Sequence, residues 1–179
     1  MELSAIERRA ARIKLLLMDC DGVLTDGRLW LLPNGDEQKA FHVHDGLGLE
    51  LWHRAGLKSG IISGRRSDVV EQRARDLKIE FVRQGVERKL GSFEALLKEA
   101  GVEDSEVAYV GDDLNDIPLL RRAELAVAVA NASEETRSIA HLVTRAPGGF
   151  GAVREVIEII LKAQGRWTDV TEKYLKGRQ

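Results

Sequence analysis

The sequence contains few cysteine, proline or aromatic residues, and it has no long hydrophobic run. Among its 179 residues there are one cysteine and three prolines, and 5% are aromatic. The single cysteine, Cys20, cannot form an internal disulfide and excludes a zinc site built from several cysteines. The apolar run near the N-terminus, Leu15–Met18, is too short for a signal peptide or a membrane span. We therefore expect a soluble, cytoplasmic protein.

An excess of charge of one sign is also absent. Lysine and arginine together number 27 and the acidic residues number 29, so the formal net charge is −2. This balance supplies no overall basic field, and we expect neither nucleic acid nor a membrane as a partner. A hydrophobic content of 44% is too high for an intrinsically disordered chain. The length favours a single domain over residues 1–179.

What the sequence does contain is a regular alternation of short apolar runs and amphipathic segments. The apolar runs predict buried strands, because they carry few charges and end at glycine, aspartate or serine. They are Ile13–Met18, Leu57–Ile62, Ile79–Val82, Val107–Val110 and Leu125–Ala130. Helical spacing of apolar residues predicts helices over Asp68–Leu77 and Gly91–Ala100. The alternation indicates a doubly wound, Rossmann-like α/β fold with a parallel sheet, which binds ligands at the carboxyl ends of its strands.

The segment after the first predicted strand has a different pattern. Residues 28–32 and 37–43 have the composition of two strands, and the Asn34-Gly35 pair between them favours a hairpin turn. We expect this hairpin, at about residues 27–43, to stand over the active-site edge as a flap. Residues 165–179 are mostly polar, and we expect a loose tail there. This tail and the glycine-rich residues 148–151 are predicted to be flexible enough to form a mobile cover.

Acidic residues follow two of the predicted strands. Asp19 and Asp21 follow the first strand, and Asp112, Asp113 and Asp116 follow the fourth. Because neighbouring strands of a parallel sheet end at the same edge, the two groups can converge there. Three or more carboxylates that face one point form an oxygen site suited to Mg²⁺. For the first pair taken alone, the alternative is an Asx-rich turn without a metal.

Candidate phosphate ligands lie between these two acidic motifs. Ser63 and Gly64 end the second predicted strand, where a hydroxyl and a bare glycine amide suit a phosphate oxygen. The alternative for Ser63 is a helix N-cap, although Ser67 could fill that role equally well. Lys89 precedes the next predicted helix, and it is either a cation for the same anion or an ordinary surface charge.

The order of these motifs resembles that of a known superfamily. The segment DCDGVLTDG from Asp19, the Ser-Gly pair at Ser63, Lys89 and the segment GDDLNDIP from Gly111 follow one another at strand ends or helix starts. In this combination they resemble the haloacid dehalogenase superfamily, in its phosphatase branch, over about residues 13–163. The intervals between Asp19, Ser63 and Lys89 are too short to hold a cap domain, so the resemblance is to the capless members.

The resemblance implies a role for each residue of these motifs. Asp19 would be the nucleophile that forms an aspartyl-phosphate, and Asp21 would be the general acid for the leaving oxygen and then the base for the attacking water. Mg²⁺ would be bound by Asp19, the backbone carbonyl of Asp21 and Asp112, with support from Asp113 and Asp116. The phosphoryl oxygens would be held by Ser63, Gly64 and Lys89. Dehalogenases lack the second aspartate, so the resemblance implies a phosphohydrolase.

Finer features are similar to capless phosphatases that act on acidic eight-carbon keto-sugar phosphates in lipopolysaccharide synthesis. These features are the segments HDGLG from His44, ISGR up to Arg65 and GGFGAVRE from Gly148. The resemblance implies a small sugar phosphate as the substrate. It also implies a homotetramer with active sites near the subunit interfaces, and we expect Trp30 in the hairpin to lie in such a contact.

Two alternatives stay open: a phosphatase of nine-carbon, sialic-type sugar phosphates and a catalytically silent oligomerisation module of the same fold. Arg65 favours the eight-carbon substrate, because an arginine suits an anionic acid and the nine-carbon relatives tend to have an acidic residue there. His42 and His44, which we expect on one face of the second hairpin strand, are further candidate substrate contacts. Relatives often carry arginine at the positions of His44 and Phe150, so the contacts of the substrate carboxylate stay open.

Overall fold

The computed structural model describes residues 4–177, which form one main sheet, a small hairpin and flanking helices. The strands are β1 (Leu15–Met18), β2 (Trp30–Leu31), β3 (Glu37–Gln38), β4 (Lys58–Ile62), β5 (Phe81–Arg83), β6 (Val107–Gly111), β7 (Leu125–Ala128) and β8 (Leu142–Val143). The α-helices are α1 (Ala5–Ala10), α2 (Val43–Arg54), α3 (Asp68–Asp76), α4 (Lys89–Ala100), α5 (Ile117–Leu120), α6 (Glu134–Ile139), α7 (Ala152–Ala163) and α8 (Trp167–Leu175). None of the helices in this part of the chain is long and apolar enough to cross a membrane.

The main sheet is parallel, and its strands lie in the order β5-β4-β1-β6-β7-β8. The chain builds outward from β1 through β4 to β5 on one side and then from β6 to β8 on the other. This reversal places a topological switch point between β1 and β6, where doubly wound sheets bind ligands. The predicted Rossmann-like fold is confirmed. The patterns missed β8, because two residues are too few to give a strand signal.

The side chains of β1 alternate between two hydrophobic cores. Leu16 and Met18 pack with residues of α2, α3 and α7 on one face of the sheet, and Leu15 and Leu17 pack with residues of α4 and α5 on the other. All four side chains are fully buried. Because both faces are covered, β1 has an uninterrupted apolar sequence. This packing fixes the position of the residues that follow Met18, where the first acidic motif begins.

The hairpin is shorter than the sequence predicts. Strand β2 pairs antiparallel with β3, and the second strand ends early because the chain turns into α2 at Val43. His42 caps this helix, and its Nδ1 accepts a hydrogen bond from the backbone N–H of His44 at 3.3 Å. The prediction that His42 and His44 share a strand face is therefore wrong, because helix capping decides the conformation of this segment.

The C-terminal segment forms a packed helix rather than the expected loose tail. Val170 in α8 is buried, and its carbonyl oxygen accepts a hydrogen bond from Arg54 Nη1 in α2 at 2.9 Å. The Trp167 ring lies under the cations of Arg154 and Lys162 from α7, at 5.0 and 5.3 Å from its centroid. Trp167 and Val170 pack against the core and anchor α8 to the domain, whereas Leu175 near its end is 76% exposed. Residues 178 and 179 of the predicted tail lie outside the described part of the chain.

Candidate active site

Three carboxylates meet at the switch point of the sheet. Asp19 directly follows β1, Asp112 directly follows β6, and Asp116 lies in the short 3₁₀ helix after it. One oxygen from each carboxylate lies within 4.8 Å of the other two. The predicted convergence of the two acidic motifs is therefore present, because adjacent parallel strands β1 and β6 end at the same edge. We call Asp19, Asp112 and Asp116 the acidic triad.

Lys89 is the counter-charge of the acidic triad. Its Nζ lies 2.6 Å from Asp19 Oδ2 and 2.8 Å from Asp116 Oδ1, and only 2% of its side chain is exposed. Lys89 is thus a buried site residue and not the surface charge that the sequence left as an alternative. It is the first residue of α4, so the start of that helix determines where the ammonium group lies.

Asp116 is fully buried and has donors on both oxygens. Its Oδ1 accepts hydrogen bonds from Lys89 and from the Tyr109 hydroxyl at 2.7 Å, and its Oδ2 accepts one from the backbone N–H of Asp112 at 3.0 Å. These bonds make Asp116 the residue that fixes the loop after β6. Asp113 points elsewhere: it is exposed, and its Oδ1 accepts a hydrogen bond from the Leu114 N–H at 2.8 Å.

The triad carries more negative charge than its protein partners offset. Burial, aided by repulsion from Asp116, raises the pKa of Asp19 from 3.8 to about 6, although Lys89 opposes the rise. Burial and repulsion from Asp116 and Asp19 raise the pKa of Asp112 from 3.8 to about 8. Three carboxylates share one ammonium group, which leaves two negative charges when all are ionised. This donor set fits a divalent cation with oxygen ligands.

The second aspartate of the first motif lies in a separate group of charges. Asp21 Oδ1 contacts the ammonium group of Lys39, and its Oδ2 lies 3.7 Å from Nε of Arg65. Glu37 of the hairpin completes the group, with Oε2 at 3.4 Å from Arg65 Nη2. The sequence patterns predicted Asp21 and Arg65 at the site but missed Lys39. The spacing of Glu37 and Lys39 by two residues, which puts both on one face of a strand, is a signal that could have found it.

Ser63 and Gly64 follow β4, the neighbour of β1 in the sheet. The Ser63 side chain is buried, and its Oγ accepts a hydrogen bond from the Arg65 N–H at 3.3 Å. The N-cap of α3 is Ser67, whose Oγ accepts a hydrogen bond from the Val70 N–H at 3.4 Å. Because Ser67 fills the capping role, the alternative role for Ser63 is removed. Gly64 is exposed at the edge, where its backbone is accessible.

The glycine-rich loop is packed against the first acidic motif and is not the flexible cover that its composition predicts. The Gly149 N–H donates a hydrogen bond to the Val23 carbonyl at 2.8 Å, and the Gly148 N–H donates one to Asn131 Oδ1 at 2.9 Å. A Cβ atom at Gly148 would overlap the carbonyl oxygen of Gly22. The absence of a side chain therefore allows two backbone segments to approach closely beside the site.

The remaining candidate contacts are His42 and His44, and Phe150 and Cys20 are two further residues of the motifs. The His42 ring caps α2 through Nδ1, and the His44 ring packs edge-on against that of His42 at 4.9 Å. Phe150 is 57% exposed and presents an apolar ring to solvent. Cys20 is fully buried, and burial raises the pKa of its thiol, so it is inert packing between the two aspartates.

Comparison with known proteins identifies relatives of this chain in sequence and in structure. The family model for haloacid dehalogenase-like hydrolases matches residues 56–157. The 3-deoxy-D-manno-octulosonate 8-phosphate phosphatase KdsC of Escherichia coli K12 is 44% identical over 158 residues, which cover 88% of this chain and 84% of the relative. A crystal structure of the phosphatase of that name from Moraxella catarrhalis, in complex with magnesium, phosphate and KDO, has a TM-score of 0.92 at 41% identity and covers 99% of this chain and 100% of its own. The corresponding structure from Yersinia pestis has a TM-score of 0.90 at 42% identity, with coverages of 91% and 88%.

With its parallel sheet, its acidic triad at the switch point and these relatives, the chain belongs to the haloacid dehalogenase-like hydrolases. Its motif order and the absence of a cap domain within residues 4–177 agree with the resemblance seen in the sequence. Within these hydrolases it falls in the family of the 3-deoxy-D-manno-octulosonate 8-phosphate (KDO 8-phosphate) phosphatases, and it is a phosphatase.

Proposed function

We propose that this phosphatase hydrolyses KDO 8-phosphate to KDO and inorganic phosphate, with Mg²⁺ as its cofactor, in lipopolysaccharide biosynthesis in the cytoplasm. The observation that carries the proposal is the pairing of Asp19 with the buried Lys89 at the switch point, with Asp21 two residues further along the same loop. The similarity to KDO 8-phosphate phosphatases over most of the chain supports KDO 8-phosphate as the substrate.

In this mechanism Asp19 is the nucleophile. One of its carboxylate oxygens attacks phosphorus, the bond to the sugar oxygen breaks, and an aspartyl-phosphate forms. Asp21 gives its proton to the departing sugar oxygen, and its carboxylate then takes a proton from the water that hydrolyses the intermediate. Lys89, 2.6 Å from Asp19, and the Ser63 hydroxyl stabilise the charge on the transferring phosphoryl oxygens.

The metal ligands in this proposal are Asp19, the backbone carbonyl of Asp21 and Asp112. When bound, the cation supplies positive charge that offsets the triad and the substrate phosphate. Asp116 holds the loop that carries Asp112 and is not itself a proposed ligand, because its oxygens already accept hydrogen bonds from Lys89, Tyr109 and the Asp112 backbone. Asp113 supports the same loop by capping the 3₁₀ helix.

Arg65 is the residue that we propose to favour the eight-carbon acid. Its side chain is 47% exposed while the guanidinium group faces Asp21 and Glu37, so it borders the site and reaches the space in front of it. A guanidinium group there attracts the carboxylate of an anionic substrate. The substrate panel described below separates this assignment from that of a nine-carbon, sialic-type substrate.

A homotetramer is the second part of the proposal. The hairpin exposes consecutive apolar side chains, including Trp30 at 59% and Leu31 at 70%, which is costly for an isolated subunit. A symmetric contact would cover them and bring a neighbouring surface to the mouth of a site that has no cap domain. Sedimentation of the full chain tests this part, and a monomer at assay concentration would refute it.

The activity is tested by phosphate release from a panel of eight-carbon and nine-carbon keto-sugar phosphates and an aryl phosphate, with EDTA and with Mg²⁺. We expect Mg²⁺-dependent turnover with a preference for KDO 8-phosphate and no turnover by Asp19→Asn. The matched control is Asp76→Asn, since Asp76 ends α3 on the exposed surface. Wild-type turnover by Asp19→Asn would contradict the mechanism, preference for a nine-carbon substrate would contradict the substrate assignment, and a complete lack of turnover would favour the silent module.

A further inference from the structure

Lys39 lies at the end of the hairpin, and its side chain is almost completely buried. Only 1% of it is exposed, and its ammonium group contacts Asp21 Oδ1. Burial of a lysine costs hydration and side-chain entropy, so it persists where a partner charge compensates for both. The main partner of Lys39 is therefore the aspartate that we propose as the general acid.

The groups around Lys39 hold the Asp21 carboxyl from two sides. Lys39 contacts Oδ1, and Arg65 Nε lies 3.7 Å from Oδ2. Glu37 Oε2 lies 3.8 Å from Lys39 Nζ and 3.4 Å from Arg65 Nη2. The group thus holds two carboxylates and two cationic side chains, whose formal charges cancel. Because the Arg65 side chain is 47% exposed while Lys39 is buried, Lys39 is the fixed member of the pair that holds Asp21.

The two aspartates of the first motif form ion pairs with different lysines. Asp19 pairs with Lys89, which also bonds to Asp116 in the acidic triad. Lys39 comes from the hairpin, and its ion pairs within residues 4–177 are with Asp21 and Glu37. A change at Lys39 therefore acts on Asp21 and leaves the partners of the nucleophile in place.

We propose that Lys39 is a positioning residue that orients the Asp21 carboxyl for proton transfer to the leaving oxygen. This inference rests on the proposed function, in which Asp21 is the general acid. A general acid accelerates the reaction only when its proton is held within hydrogen-bond reach of the leaving oxygen, and a small misplacement removes much of the effect. The hairpin thus contributes to the chemistry through Lys39 as well as standing beside the site.

The test compares Lys39→Met on two substrates in single-turnover experiments on the full chain with Mg²⁺. KDO 8-phosphate has a strongly basic leaving group that needs a proton, whereas an aryl phosphate has a leaving group that needs little help. We expect the rate constant of Lys39→Met to fall about 10–100-fold for the sugar phosphate and less than about threefold for the aryl phosphate. Lys39→Arg should recover most of the lost rate. Lys98→Met, at an exposed lysine of α4, is the matched control.

The double variant with Asp21→Asn identifies the residue through which Lys39 acts. If Lys39 works through Asp21, Lys39→Met causes little further loss in the Asp21→Asn background. Equal losses for both substrates in Lys39→Met, or full additivity in the double variant, would overturn the inference. If Asp21→Asn alone slows both substrates equally, the acid assignment fails and the inference with it. If the loss of rate depends on the leaving group in Asp21→Asn but not in Lys39→Met, the role of Lys39 is refuted and the acid assignment of Asp21 stands. Should Lys39→Met not fold, Lys39→Gln carries the same comparison.

Discussion

The free energy of unfolding of the metal-free protein is expected to fall as the pH rises, because the acidic triad ionises. The pKa of Asp19 is raised from 3.8 to about 6 and that of Asp112 from 3.8 to about 8, in both cases chiefly by burial. A carboxyl whose pKa is higher in the folded chain binds more protons there than in the unfolded chain. Stability is therefore lost as the pH rises from 3.8 through about 6 for Asp19 and through about 8 for Asp112.

The size of this loss follows from the Asp112 shift. One pKa unit corresponds to about 1.4 kcal/mol, so we expect the wild-type protein to lose about 3–5 kcal/mol between about pH 5 and pH 9. Under the proposed function, Mg²⁺ binds the ionised Asp19 and Asp112, so it should restore stability at the higher pH, by about 2.7 kcal/mol at a concentration of about 100 Kd.

The assay is urea unfolding in EDTA and in Mg²⁺ across this pH range, with Asp112→Asn as the control. The control removes the largest titration but keeps His53 and His141, whose pKa values are lowered chiefly by burial and which make stability rise with pH. The difference between wild type and Asp112→Asn therefore isolates the titration of Asp112. Wild-type stability in EDTA that runs parallel to the control, or no stabilisation by Mg²⁺ at high pH, would refute the reasoning.

Three further predictions concern packing and buried contacts in the domain. Gly148→Ala should destabilise the fold by about 1–3 kcal/mol in a denaturation assay and impair turnover, because its Cβ would overlap the Gly22 carbonyl. Gly91→Ala in α4 is the control: its Cβ meets open space, so it should be neutral or stabilising in the same assay. Tyr109→Phe removes a buried hydrogen bond of 2.7 Å to a carboxylate and should cost about 1.5–3 kcal/mol; a loss below about 0.5 kcal/mol would contradict the assigned contact. A chain that ends at Gln164 lacks α8 and should melt at a lower temperature, and its kinetics test whether this helix affects substrate binding or product release. An unchanged melting temperature would show that the packing of α8 is not stabilising.

The amino-acid sequence predicted the parts of this protein that depend on local pattern. The apolar runs predicted five of the six strands described in the main sheet, with end errors of at most two residues, because a buried parallel strand needs apolar side chains on both faces. The positions of Asp19 and Asp112 directly after such runs placed them at one edge of the sheet. The convergence of these two carboxylates therefore needed only the strand order, which the alternation of strands and helices favours.

Other features depended on contacts between distant segments, and local pattern did not contain them. His42 and His44 have the spacing of a strand, but the cap and the tertiary packing of α2 override that spacing. The polar composition of the C-terminal segment gave no indication that Trp167 would lie under two cations of α7. Composition likewise predicted a mobile glycine-rich loop, whereas the close approach of Gly148 to Gly22 requires those glycines for packing.

The sequence by itself thus determined which carboxylates reach the edge of the sheet and which family the chain resembles, since both depend on short motifs and strand ends. Only the tertiary structure decided the partner of each carboxylate. Asp116 has its oxygens bonded within the protein, Lys89 pairs with Asp19, and Lys39 of the hairpin contacts Asp21. These pairings join residues far apart in the chain. They exist because α4, which packs against the sheet, and the segment after β3 bring the buried ammonium groups of Lys89 and Lys39 to carboxylates that offset the cost of burying them.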